Sequence, residues 1–61
     1  MRYVLQNEYG EYLRSLLTSP TKTIITTTSD IIQALKFSND LDVKEYQNKY
    51  KLMTFNIKST K

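Results

Sequence analysis

A chain of 61 residues with no cysteine and no histidine has to fold without the two devices that stabilise many small domains. Without cysteine there is no disulfide and no thiolate ligand, and without histidine the common zinc and iron ligand sets are missing. A domain of this length buries only about 60% of the surface that its unfolded chain exposes, so its stability is marginal. We therefore predict a single domain, residues 1–61, without a metal or a cofactor.

A β-hairpin is the strongest local signal. Residues 2–6 and 11–17 are predicted to form two strands, and the four residues between them begin with Asn7 and end with Gly10. Asparagine at the first position and glycine at the fourth favour a type I turn, and a left-handed glycine adds a bulge. The third strand, over residues 22–27, is rich in β-branched residues.

The turn predicts a pairing register, in which Gln6, Leu5, Val4 and Tyr3 face Tyr12, Leu13, Arg14 and Ser15. One face of the hairpin would then carry Tyr3, Leu5, Leu13 and Leu17 and form the core. The other face would carry Arg2, Val4, Gln6, Tyr12, Arg14 and Leu16.

Two short helices and a last strand follow in the sequence. Asp30 has the position of an N-cap for a helix that ends at Phe37, and Ser38–Asp40 offers the cap of a second helix over residues 41–49. Apolar and polar residues alternate over residues 51–58, as in a strand. We predict an α+β fold with the order β-β-β-α-α-β and a largely antiparallel sheet of three to four strands. The residues expected to be most buried are Leu5, Leu13, Ile31, Leu35, Phe37, Tyr46, Phe55 and Ile57.

Most catalytic chemistries lack their residues here. The absence of histidine removes the usual base of serine and cysteine nucleophiles, and one glycine cannot build a phosphate-binding loop. The acidic segment Ser38–Asp42 lacks the glycine and distal glutamate of a calcium loop, so it is interpreted as a helix cap. No apolar run is long enough for a membrane span, and the N-terminus is not typical of a signal peptide. We predict a cytoplasmic binding protein that is not an enzyme.

The first candidate binding surface is the second face of the hairpin. Tyrosine and arginine dominate the energetics of protein–protein interfaces, so this face predicts a protein partner. The alternative is that Tyr12 and Leu16 cover a small second core. The candidate residues are Tyr9, Tyr12, Arg14, Arg2 and Leu16.

The second candidate surface lies near the C-terminus. Residues 1–48 carry five cations and all six anions, whereas residues 49–61 carry four lysines and no anion. Tyr46 and Tyr50 lie nearby, and aromatic rings among lysines can stack on single-stranded nucleic acid. The alternatives are a solvated strand with protective lysines, and tyrosines that anchor the helix to the sheet. The lysines are Lys49, Lys51, Lys58 and Lys61.

The chain also resembles a group of small proteins from phages and prophages of Gram-positive bacteria. The resemblance rests on the pattern Tyr3-Val4-Leu5, the Asn7–Leu13 turn region, and Thr28-Ser29-Asp30 followed by Ala34-Leu35-Lys36-Phe37. It implies an accessory protein that binds and inhibits a host or defence enzyme, as anti-CRISPR proteins do. A homodimer that pairs edge strands is a further alternative.

Overall fold

The computed structural model describes residues 2–60. This part of the chain forms a four-stranded antiparallel sheet with one α-helix, so the predicted α+β class is confirmed. The spatial order of the strands is β3-β2-β1-β4. No helix within these residues is long and apolar enough to cross a membrane. The elements in chain order are β1 (Arg2–Gln6), β2 (Tyr12–Thr18), β3 (Thr23–Thr28), a 3-10 turn (Ile31–Gln33), α1 (Asp40–Lys49) and β4 (Asn56–Thr60).

The turn between β1 and β2 has the predicted geometry. The Asn7 side-chain oxygen accepts hydrogen bonds from the backbone N–H groups of Tyr9 (3.0 Å) and Glu11 (2.9 Å). The N–H of Gly10 donates to the Asn7 carbonyl at 3.2 Å, which closes the turn. Gly10 has a φ of +82°, in the left-handed region that side chains with a Cβ disfavour.

Replacing Gly10 with valine should lower the free energy of unfolding by roughly 1–2 kcal/mol, because an L-residue is strained in the left-handed region. A Cβ built at Gly10 meets no atom within 4 Å, so the cost is one of backbone conformation and not of collision. Urea denaturation of Gly10→Val beside Gly10→Asn measures it. Asparagine tolerates this conformation better, so equal losses in the two variants would contradict the explanation.

The strands β1 and β2 separate soon after the turn. They pair at Gln6 and Tyr12, and beyond that point the segment 35–37 lies between them. The Leu35 N–H donates to the Leu13 carbonyl of β2 at 2.9 Å. On the other side Phe37 and Tyr3 of β1 exchange two hydrogen bonds of 2.9 Å. The predicted pairing of Tyr3 with Ser15 is therefore wrong, as is that of Val4 with Arg14, because a later segment takes the position of β2.

A β-bulge at Arg14 changes which residues of β2 face the core. Leu13 lies opposite Thr27 and Ser15 lies opposite Thr26, so Arg14 is an extra residue in its strand. One extra residue moves every following side chain to the other face. Leu16 accordingly packs against the core, and Leu17 is 66% exposed. The sequence-based prediction placed Leu17 on the core face and Leu16 on the other face, and it was wrong for both.

The predicted first helix is reduced to a single 3-10 turn. Asp30 caps it as predicted, since its carboxylate accepts from the Ile32 N–H at 2.9 Å. Ala34 is already extended, with a ψ of 148°, because the chain joins the sheet at Leu35. Ile31 was expected in the core and is 38% exposed, because a single turn has no buried face.

The Lys36 side chain closes this turn. Its ammonium group donates to three backbone carbonyls, those of Ile31 (2.8 Å), Ile32 (3.0 Å) and Ala34 (3.2 Å). A cation at the end of a helical turn satisfies carbonyl groups that would otherwise lack a partner.

The helix α1 begins where the sequence predicts. The Asn39 side chain accepts from the Asp42 N–H at 2.8 Å, so the acidic segment around it is a helix cap. Among residues 2–60 no three or more acidic side chains are placed to hold a metal ion.

The C-terminal end of α1 has an unusual left-handed lysine. Lys51 has a φ of 56°. The Leu52 N–H donates to the Gln47 carbonyl (2.9 Å) and the Lys51 N–H to the Asn48 carbonyl (3.3 Å), which is the Schellman pattern. Glycine is the residue that this position favours.

We expect Lys51→Gly to raise the free energy of unfolding by about 1 kcal/mol, because glycine adopts a positive φ without steric cost. Thermal denaturation of the variant measures the gain. Lys51→Ala is the matched control, since it removes the same charge and keeps the strain. An equal gain in both variants would assign the effect to charge.

The core lies between α1 and one face of the sheet. Of the residues predicted to be most buried, Leu5, Leu13 and Phe55 are buried, and Leu35, Phe37, Tyr46 and Ile57 are half-buried against them. The buried residues that the prediction omitted are Val4, Ala34, Val43 and Leu52. The Gln47 side-chain amide donates to the carbonyls of Leu52 (3.0 Å) and Phe55 (2.7 Å), and so ties the loop before β4 to the helix.

Candidate protein-binding surface

The two faces of the sheet differ in what covers them. The helix α1 packs on the face that carries Leu5 and Leu13, through Val43. We call the opposite side the open face. The side chains of a strand alternate between faces, so the registers assign its members. They are Arg2, Val4 and Gln6 of β1, Tyr12, Ser15 and Leu17 of β2, Ile24, Thr26 and Thr28 of β3, and Asn56, Lys58 and Thr60 of β4.

The open face brings together residues from both predicted binding surfaces. Tyr12 lies opposite Gln6 in the sheet, and Lys58 lies opposite Val4. Arg2 lies diagonally across from Lys58, since its own partner is Thr60. Arg2 and Lys58 are exposed and Tyr12 is half-buried. None of the ladder positions on this face carries an acidic residue, so its charge is positive.

Tyr9 lies at the tip of the hairpin. Its side chain is 79% exposed, and its backbone N–H is held by the Asn7 side chain. The neighbouring hydrogen bonds of Glu11 and Gly10 fix the same turn. A large exposed side chain on a rigid turn can enter a contact with little loss of backbone entropy.

The other two residues of the first candidate surface have different positions. Arg14 is exposed at the bulge of β2. Leu16 packs against the core on the face opposite to that of Tyr12. The expectation that Leu16 and Tyr12 share one face is therefore wrong. The extra residue Arg14 lies between them and moves Leu16 to the other face of the strand.

The lysines of the second candidate surface do not form one stripe. Lys58 belongs to the open face, whereas Lys49 and Lys51 lie at the C-terminal end of α1, which packs on the other face. Lys61 lies outside the described residues.

The tyrosines of α1 extend an aromatic row towards the sheet. The ring centroids of Phe37 and Tyr46 are 5.0 Å apart, and those of Tyr46 and Tyr50 are 4.8 Å apart. Both tyrosines are half-buried against the core, and the Lys49 ammonium lies 5.4 Å from the centre of the Tyr50 ring. This geometry favours the interpretation that they anchor the helix to the sheet.

Burial of Tyr46 has a consequence for the pH dependence of stability. Burial, and to a lesser degree the neighbouring Tyr50 phenol, raises the pKa of Tyr46 above its ordinary value of 10.0. A group with a raised folded-state pKa stabilises the fold below the unfolded pKa and loses that contribution as the pH rises through the folded value. We expect the stability to fall above pH 10.0, and to fall less in Tyr46→Phe, as denaturation midpoints at several pH values would show. An equal fall in both proteins would exclude Tyr46 as the cause.

The exposed apolar pair Leu17 and Ile24 is not among the residues that the sequence predicts for a binding surface. These residues lie opposite each other on the open face, one on β2 and one on β3. The β-branched pattern of β3 is the only signal in the sequence that could have indicated them. Residues 2–60 enclose no pocket, so the candidate site is a surface and not a cleft.

Comparison with protein-family models, with curated proteins and with solved structures finds no match to this chain.

Proposed function

We propose that the chain is a small binding protein that occupies the surface of a partner protein. The contact is made by the open face around Arg2, Tyr12 and Lys58, with Tyr9 at its edge. The observation that carries the proposal is that the sheet registers place these three residues on the face of the sheet opposite to α1.

The chemistry of the open face indicates what kind of surface it fits. Tyrosine and arginine side chains carry much of the energy of protein–protein contacts. The cations on this face have no acidic neighbour in the ladder, which favours an acidic partner surface. A standard interface buries about 800 Å² on each partner. The chain exposes 4569 Å² in total, so such a contact would cover roughly a sixth of it.

The resemblance to phage accessory proteins supports a more specific partner class. We propose an enzyme of a bacterial host, or of its defence systems, which the chain inhibits by covering a surface that the enzyme needs. The binding would then take place in the cytoplasm of the host cell.

Affinity capture from a lysate of a Gram-positive bacterium, with the tagged chain as bait, tests this proposal. We expect a protein to be retained by the wild type, and to be lost when Tyr12→Ala or Arg2→Glu is the bait. Lys22→Glu is the charge-matched control, since Lys22 is exposed in the turn between β2 and β3. The purified target should lose activity when the wild-type chain is added. Retention of the same protein by all baits would contradict the assignment of the surface.

Nucleic acid is the second candidate partner, because the open face carries the cations Arg2 and Lys58 on the same side of the sheet as the aromatic Tyr12. Binding to phosphates should weaken steeply between about 50 and 200 mM salt. Titration of a labelled single-stranded oligonucleotide against the wild type and Lys58→Glu measures this effect. Tight, salt-sensitive binding that Lys58→Glu removes would favour nucleic acid over a protein partner.

A further inference from the structure

The strand β3 is an open edge of the sheet. It pairs with β2 on one side only. The N–H of Ser19 donates to the carbonyl of Lys22 at 2.8 Å, which makes these two residues a hydrogen-bonded pair at the start of the β2–β3 ladder. Hydrogen-bonded and non-hydrogen-bonded pairs alternate in an antiparallel ladder. The backbone groups of Thr23, Ile25 and Thr27 therefore point away from β2.

This edge lacks the features that protect an exposed strand from pairing. Charged residues, proline and inward bulges are the usual devices, and Thr23–Thr28 contains none of them. The strand consists of threonine and isoleucine, which favour β structure. The other edge of the sheet, β4, carries Lys58 in its centre. Pairing of two β4 strands would bring like charges together, whereas pairing of two β3 strands would not.

If two β3 strands are related by a two-fold axis at Ile25, the outward backbone N–H and C=O groups of one strand can hydrogen-bond to those of the other. Ile25 then lies opposite Ile25 of the second copy, and Thr23 lies opposite Thr27 of the second copy. This arrangement uses all three outward-facing residues of each strand, whereas a shift by two residues would leave one unpaired.

The same register also covers exposed apolar surface. Ile25 is 43% exposed and lies beside Leu16, its partner on β2, which packs against the core. Across the axis, four apolar side chains would form one row on the same face of the sheet. Their order is Leu16 and Ile25 of one copy, followed by Ile25 and Leu16 of the other. We propose that β3 pairs antiparallel with β3 of a second copy about Ile25, so that one sheet runs through a homodimer.

The oligomeric state of the whole chain tests the proposal. Sedimentation equilibrium should give twice the 7.2 kDa of one chain for the wild type at sufficient concentration. Ile25→Lys should weaken association about tenfold or more, because two like charges would face each other at the axis. Met53→Lys is the control, since Met53 is exposed outside the strands and should leave the dimer intact. A monomer at all concentrations, or a dimer that Ile25→Lys leaves unchanged, would overturn the proposal.

Cysteine cross-linking tests the register separately, because the natural chain has no cysteine. The two Ile25 Cα atoms would be about 5.5 Å apart across a hydrogen-bonded pair, within the range of a disulfide. Oxidised Ile25→Cys should run as a covalent dimer. Thr23→Cys should not, because its two copies would be about 13 Å apart along the strands. Cross-linking of Thr23→Cys with none of Ile25→Cys would show that the register is wrong.

Discussion

Phe55→Ala should lower the free energy of unfolding by about 3–5 kcal/mol. Phe55 is 6% exposed and packs with Leu5, Leu13, Val43 and Leu52 in the only cluster of buried side chains found among residues 2–60. Replacing Phe55 with alanine leaves a cavity in this cluster, and no second cluster of buried side chains among residues 2–60 contributes to the stability. A domain of this size has a total stability of about 3–9 kcal/mol, so the variant should be largely unfolded at 37 °C. Circular dichroism during thermal denaturation measures the effect.

The control for this prediction is Met53→Ala. Met53 lies two residues from Phe55 in the same loop and is 69% exposed. We expect this variant to stay within about 0.5 kcal/mol of the wild type, as surface substitutions usually do. Similar stability of Phe55→Ala and Met53→Ala would show that Phe55 does not hold the core.

Leu16→Asp should destabilise the fold by about 2–4 kcal/mol, whereas Leu17→Asp should have almost no effect. The bulge at Arg14 directs Leu16 to the core and leaves Leu17 on the open face. An aspartate at position 16 would lose the apolar contact and place a charge against the core. At position 17 the same charge would be solvated. Chemical denaturation of the two variants compares adjacent positions with the same substitution.

The comparison of positions 16 and 17 also tests the bulge itself. A regular strand would place Leu17 on the core face together with Leu13, and the two losses would then be reversed. A variant that deletes Arg14 should keep Leu16 on the core face, because Leu13, Ser15 and Leu16 would then alternate regularly in the same register with β3. If Leu17→Asp is the more destabilising substitution, the bulge is absent in solution.

The features that the sequence predicts well are those set by neighbouring residues. The turn at Gly10 depends on the Asn7 side chain and on a glycine four positions into the turn, and both lie within five residues. The start of α1 depends in the same way on Asn39 and the backbone of Asp42. Local signals of this kind specify a conformation before any tertiary contact is made.

The features that the sequence does not predict depend on distant parts of the chain. The segment 35–37 has a helical pattern, but it can complete the hydrogen bonds of Tyr3 and Leu13 only in an extended form. Satisfying those backbone groups outweighs the weak helical preference of a short segment. Leu52 was missed because its burial follows from the left-handed turn at Lys51, and lysine gives no local signal for a positive φ.

The sequence predicts most residues of the candidate surface, but it does not predict how they are arranged on the sheet. Arg2 and Tyr12 were placed correctly on the same face, whereas Leu16 was misplaced by the bulge. Lys58 was assigned to a separate surface because the pairing of β4 with β1 cannot be read from the last strand alone. The binding roles of these residues stay predictions.

The insertion of residues 35–37 beside β1 determines when the fold can form during synthesis. Apart from the Gln6–Tyr12 pair beside the turn, the backbone partners of β1 are Phe37 on one side and β4, at residues 56–60, on the other. Val4 and Leu5 in the middle of this strand are fully buried on opposite faces. Of the buried side chains that cluster with Leu5, only Leu13 is made soon after it, and Val43, Leu52 and Phe55 are made much later. The first strand of this domain to be synthesised is therefore among the last to be enclosed. We expect nascent chains that end before β4 to remain protease-sensitive, and the domain to assemble in one late step.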